Sequence, residues 1–172
     1  MNTNPNQTTR ETVFFNWMGH NQRQAVKAFL RGEERAYFGD VLGRLAATID
    51  GMPHSGATDG QGDNAIVHLH FFTAGADWWI TEKDAGSPDD PADERGKQHQ
   101  AFGLADLFGD GGELGYISIP EITAEGAELD FHWTPKTIAQ VRSENEFAFP
   151  PQVDTEVSKA LVFVQGLQSK AL

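Results

Sequence analysis

Four side chains in this sequence stand at a spacing that could gather a metal ion. His68 and His70 lie two apart in a run rich in Ile, Val, Leu and Phe, and Asp130 and His132 lie two apart in a second such run. Residues two apart on a strand project from the same face. If the two strands are neighbours, three imidazoles and a carboxylate meet, a set suited to a divalent cation and to metal-assisted hydrolysis of a small molecule or nucleotide. A simpler account competes with this. Val67, Leu69 and Phe71 alternate with the histidines, and Leu129, Phe131 and Trp133 alternate with Asp130 and His132. Any half-buried amphipathic sheet alternates in this way. The simpler account is preferred, with metal binding kept as the alternative.

A second constellation is carboxylate-based. Asp106 and Glu113 flank the Gly109–Gly112 turn, and Glu82 ends another apolar run. Such groups can pair for general acid–base work or hold Mg2+. No nucleophile, base and orienting group complete the set, so turn and strand-end chemistry is the favoured expectation. Asp59-Gly-Gln-Gly-Asp63 resembles half of a calcium loop but lacks the later bidentate glutamate. Gly109–Gly112 has no Gly-Lys-Ser/Thr continuation, and neither Gly-x-Ser-x-Gly nor His-Glu-x-x-His occurs. Cysteine is absent, which excludes disulfides, zinc–thiolate sites, iron–sulfur clusters and a thiol nucleophile. No catalytic residue and no cofactor is assigned.

Trp78, Trp79 and Trp133, with Phe72, Phe102 and Tyr116, could stack on nucleic-acid bases. A stacking platform also needs a basic groove, and the charge runs the other way. The segment Asp77–Asp130 holds fourteen of the twenty-five acidic residues and three basic ones, so it carries -11 of the formal net charge of -12. Gripping phosphates requires lysine and arginine, so direct binding to nucleic acid, or to an anionic membrane, is not expected. Adjacent tryptophans on a strand point to opposite faces, so at most one of Trp78 and Trp79 enters a core on one side of a sheet. The other, if exposed, would anchor a protein interface.

These residues need elements to hold them. A chain of 172 residues reads as one domain, 1–172, long enough for a real core. Residues 1–20 read as a frayed start, with a short apolar piece at Val13–Met18. The interval 21–50 is helical, capped by Asn21 with Gln24 in capping-box spacing. Five runs rich in β-branched and aromatic residues follow: Ile66–Thr73, Asp77–Lys83, Gln100–Leu107, Glu113–Ile119 and Ala127–Thr134. They place the sheet core at 66–134, interrupted by a polar loop, Asp84–Gln98. Thr134-Pro135 marks a helix entry, and residues 154–168 form a C-terminal helix after Pro150-Pro151. The order predicts an α+β fold: a mainly antiparallel sheet of about five strands, with N-terminal helices and a C-terminal helix packed on it.

Several linked motifs also resemble a known family. They are Leu69-His-Phe-Phe-Thr73, Asp77-Trp-Trp-Ile-Thr-Glu82, Gln100-Ala-Phe-Gly-Leu-Ala-Asp-Leu107, Glu113-Leu-Gly-Tyr-Ile-Ser-Ile-Pro-Glu121 and Glu128-Leu-Asp-Phe-His-Trp-Thr-Pro-Lys-Thr137. Residues 66–138 are similar to a family of proteins carried by plasmids, phages and integrative elements and known as domain of unknown function 2958. The resemblance implies a setting, an accessory protein of a mobile genetic element, and brings no activity or catalytic residues. Combined with the acidic surface, it raises the expectation of a non-enzymatic protein-binding module. Such a module would mimic the charge of DNA and inhibit a basic host or element protein, such as a restriction or CRISPR nuclease. The contacts assigned to it are Asp89, Asp90, Asp93, Glu94 and Asp110, with Trp78 or Trp79 as the apolar anchor. The start, Met1–Arg10, lacks the apolar segment of a signal peptide, and no apolar run is long enough to span a bilayer. A cytoplasmic protein is expected.

Overall fold

The structure, a computed structural model, describes residues 15–84 and 98–148. Two helices, α1 (His20–Phe29) and α2 (Arg35–Gly51), precede the strands β1 (Ile66–Val67), β2 (Leu69–Phe72), β3 (Asp77–Glu82), β4 (Ala101–Asp106) and β5 (Glu113–Ile117). After them come α3 (Ile119–Ala124), β6 (Glu128–Leu129), β7 (Lys136–Thr137) and α4 (Ile138–Ala148). The fold is α+β. Five strands form an antiparallel sheet in the order β5-β4-β3-β2-β6, and β1 pairs with β7 beside it. Among the described residues, no helix is long and apolar enough to cross a membrane.

The period-2 pattern sorts the side chains onto two covered faces. Leu69 and Phe71 of β2 sit opposite Ile80 and Trp78 of β3 and point to one side. There they pack on Val26 of α1, on Val41, Leu45 and Ile49 of α2, and on Trp17. Trp79 and Leu104 point to the other side and meet Val67, Ile138 and Val141. Each fully buried Leu, Ile, Val or Phe side chain contributes about 1.5–3 kcal/mol through removal from water. The two layers therefore hold the sheet from both faces. Gly103 is needed where β3 and β4 come together. A Cβ there would run into the backbone of Trp79, beside the register irregularity between Ile80 and Glu82.

Several expected boundaries move. The run Ile66–Thr73, expected as one strand, is divided between β1 and β2, which belong to different sheets. The N-cap of α1 is Gly19, with no side-chain cap, in place of Asn21. Gly19 lies so close to the Thr123 carbonyl that a Cβ would approach it to 3.0 Å, and a larger residue would separate α1 from α3. The strand expected over Ala127–Thr134 is cut to Glu128–Leu129. Its end is chemical: the Asp130 carboxylate accepts the His132 N–H at 2.8 Å and closes a turn. The chain then leaves the large sheet, and the Trp133 indole N–H donates to the Val67 carbonyl. Finally, α4 is entered at Thr137 and not at Thr134-Pro135. Thr137 Oγ1 accepts the Gln140 N–H (3.2 Å), and Gln140 Oε1 accepts the Thr137 N–H (2.9 Å), a reciprocal capping box. The helix expected at 154–168 and the Asp84–Gln98 loop, apart from its two end residues, lie outside the described residues.

Candidate functional site

The metal-binding expectation gathers two of its four residues. The register places β2 beside β6, so His70 meets Asp130, with Nδ1 3.4 Å from Oδ2. The other ring nitrogen, Nε2, lies 2.7 Å from Oδ1 of Asp77, across the β2–β3 hairpin. The ring stacks on Trp79 (centroids 5.4 Å, interplanar angle 9°) and lies beside Phe72 and Trp133. His70 is thus an imidazole held between two carboxylates in an aromatic surround. In its doubly protonated form it donates to both. His68 and His132 do not join the cluster. Burial holds His68 below the usual histidine range, and His132 is exposed and reaches Asp130 through its backbone N–H. Among the described residues no group of three or more His, Asp or Glu side chains could hold a metal ion. The geometry is that of a structural clamp joining β2, β3 and the β6 turn.

The acid–base expectation gives way to loop scaffolding. Glu82 is only 2% exposed. Its carboxylate accepts the Gly56 N–H (2.6 Å), the Thr58 N–H (2.6 Å) and the Thr58 hydroxyl (2.5 Å). Burial pushes its carboxyl up, but these three bonds outweigh burial and hold it below the usual range. Asp106, 5% exposed, does the same for the β4–β5 turn. Oδ1 accepts N–H groups of Phe108 (3.1 Å), Gly109 (2.6 Å) and Asp110 (3.3 Å), and Oδ2 accepts that of Gly111 (3.2 Å). Burial again pushes upward, and the four backbone donors again prevail and hold its carboxyl low. Glu113 is exposed at the start of β5, opposite Ala105. The three carboxylates therefore form no acid–base pair.

The Asp106 turn has a consequence for the surface. Gly109, Gly111 and Gly112 take positive φ (73°, 96° and 66°), as wrapping successive N–H groups around one carboxylate demands. Arg142 of α4 donates to the Gly111 carbonyl and forms an ion pair with Asp63. The turn is thereby fixed from inside and from α4. At its tip Phe108 is 87% exposed, and on the neighbouring strand Tyr116 is 70% exposed, its ring edge-on to Phe102. Leu107 and Leu114 are exposed beside them, and so are the carboxylates of Asp110 and Glu113.

This corrects the expected apolar anchor. Trp79 is 4% exposed under α4, and Trp78 is half-buried against the α1–α2 layer, because both sheet faces are covered. Among the described residues the most exposed aromatics are Phe108 and Tyr116, ahead of Tyr37, Phe29 and Phe72. Phe108 stands out in the sequence in one respect, a large apolar residue directly before a glycine-rich turn where polar residues are usual. Of the acidic contacts expected, Asp110 lies at this tip, while Asp89, Asp90, Asp93 and Glu94 lie outside the described residues. A separate cleft of about 500 Å³ opens between the start of α1 and α3, lined by His20, Arg23, His99 and Glu128 among others. No family model, curated protein or solved structure matches the chain.

Proposed function

We propose that this chain is a non-enzymatic, acidic protein-binding module, and that the tip of the β4–β5 hairpin is its contact surface. The observation carrying this is Phe108, an aromatic ring almost wholly in water on a turn that Asp106 and Arg142 fix in place. With the backbone of the turn already held, only the rotamer of the ring is left to be ordered on binding, which keeps the cost of association low. Asp110 and Glu113 flank it, in a segment of strongly negative charge, so the complementary partner is basic. The family resemblance narrows the proposal to an accessory protein of a plasmid or phage, acting in the cytoplasm. Its target would be a basic DNA-handling or defence protein, such as a restriction or CRISPR nuclease, occupied in place of DNA.

The test is a pull-down from bacterial lysate with tagged wild-type protein and the double variant F108A/D110N, at low and at high salt, read by mass spectrometry. A basic protein retained by the wild type at low salt, released at high salt and lost with the variant is the expected result. Capture that is indifferent to both substitutions would remove the hairpin tip from the proposal.

A further inference from the structure

We infer that the outer edge of β5 docks an extended, basic peptide segment, which adds to the sheet as a sixth strand. The inference rests on the protein-binding reading above and specifies how the partner engages.

The open edge follows from hydrogen-bond parity. In an antiparallel ladder, successive residues direct their peptide groups alternately to one neighbour and to the other. The Asp130 N–H donates to the His70 carbonyl at 2.9 Å, so His70 faces β6. Leu69 and Phe71 therefore face β3, opposite Ile80 and Trp78. Asp77 and Trp79 then face β4, opposite Asp106 and Leu104. Gly103 and Ala105 are left to face β5, opposite Gly115 and Glu113. The peptide groups of Leu114 and Tyr116 consequently point away from the sheet. The same parity turns Leu129 outward at the opposite edge, and there the groups are taken. Gln22 Nε2 donates to the Leu129 carbonyl (2.8 Å), and Gln22 Oε1 accepts the Leu129 N–H (3.0 Å). One edge of the sheet is closed by a glutamine that imitates a peptide. The other, among the described residues, ends at β5.

Among the described residues, β5 lacks the lysine, proline and bulge that often blunt an edge. Glu113-Leu-Gly-Tyr-Ile117 contains no lysine and no proline, and its pairing with β4 runs without a bulge. The exposed side chains of Leu114 and Tyr116 share one face with Phe102, so alternate residues of an added strand would pack on them. Asp110 and Glu113 stand at one end of the strand, and Glu121 stands just beyond the other, all exposed. The nearby Arg142 is engaged with Gly111 and Asp63. A strand alternating apolar and Lys or Arg residues fits both features. A second copy of this chain would bring the same carboxylates to the edge, which like-charge repulsion disfavours.

The test uses full-length protein and a capped octapeptide of alternating valine and lysine. Amide hydrogen exchange is followed by NMR at Leu114 and Tyr116. The expected result is that saturating peptide slows exchange at these two amides by at least about tenfold. It is also expected that replacing lysine by glutamate, or N-methylating alternate peptide bonds, abolishes the effect. The variant Y116K, at a surface position where folding is not at stake, should weaken binding in the same assay. No slowing with the lysine peptide, or equal slowing with the N-methylated one, would overturn the inference. So would protection of both amides in free protein, which would mean the chain itself or a second copy fills the edge. Those outcomes leave Phe108-dependent capture untouched, so a failed edge and a failed binding module can be told apart.

Discussion

Replacing Asp106 by asparagine tests whether one buried carboxylate organises the β4–β5 tip. D106N keeps the shape of the side chain. It removes the charge from the bonds of Phe108, Gly109 and Asp110 to Oδ1, and it sets an NH2 donor where Oδ2 now accepts from Gly111. A hydrogen bond to a charged group contributes about 1.5–3 kcal/mol, and the four bonds share one acceptor and are not additive, so a total loss of about 2–3 kcal/mol is expected. For a chain of this size that lowers Tm by about 4–12 °C at pH 7. The pH dependence supplies a second check. The folded-state pKa of Asp106 is depressed, so between that value and the unfolded value of about 3.9 the unfolded chain binds more protons, and stability falls as pH falls. The advantage of wild type over D106N is therefore complete at pH 7, shrinks as the pH drops below about 4, and is gone below the folded pKa. Glu82 titrates in both proteins and cancels in the difference. Thermal denaturation by circular dichroism at pH 7, 5 and 3 measures it. A gap under about 1 °C at pH 7, or one that stays constant down to pH 3, would refute the assignment.

Other substitutions probe the remaining supports. Q22L removes both bonds to Leu129 and bares the β6 edge; a loss of about 1–3 kcal/mol in urea unfolding is expected, with self-association seen by sedimentation. K83M removes the ammonium that donates to the Ile49 and Asp50 carbonyls at 2.7 and 2.9 Å, at the end of α2. It should cost about 1 kcal/mol, with faster amide exchange confined to the last turn of that helix. G103A drives a methyl group into the Trp79 backbone, and overpacking of this kind costs about 1–3 kcal/mol or more, read as a lower urea midpoint. E82Q weakens three bonds to the Gly56–Thr58 loop, and proteolytic cleavage within residues 54–62 should accelerate while the sheet core stays intact.

The sheet was legible because its strands alternate. Asp77–Glu82, Ala101–Asp106 and Glu113–Ile117 fall within two residues of the runs that β-branched and aromatic content marks out. Alternation misled at 130–134, where Phe131 and Trp133 continue the period of Leu129 although the chain has already turned. What ends the strand there is one side-chain bond from Asp130 to the His132 N–H, which no periodicity reports. The paired tryptophans show a similar limit. The sequence places Trp78 and Trp79 on opposite faces but does not say that α4 covers the second face, which buries Trp79 and leaves only Trp78 partly exposed.

The acidic residues carry the deeper lesson about reading a site from charge. Glu82 and Asp106 count toward the net charge as fully as Asp110 and Glu113 do, yet their carboxylates are turned inward on backbone N–H groups. On the proposed reading, a partner approaching the hairpin would meet Asp110 and Glu113 directly and would feel Asp106 mainly through the turn that it holds in place. The two roles separate in experiment. D110N should lower the association rate and flatten its salt dependence, because steering depends on exposed charge. D106N should raise the dissociation rate, because a loosened tip must be reordered in the complex. Equal effects of the two substitutions on the association rate alone would mean that Asp106 acts as surface charge, against the four bonds that bury it.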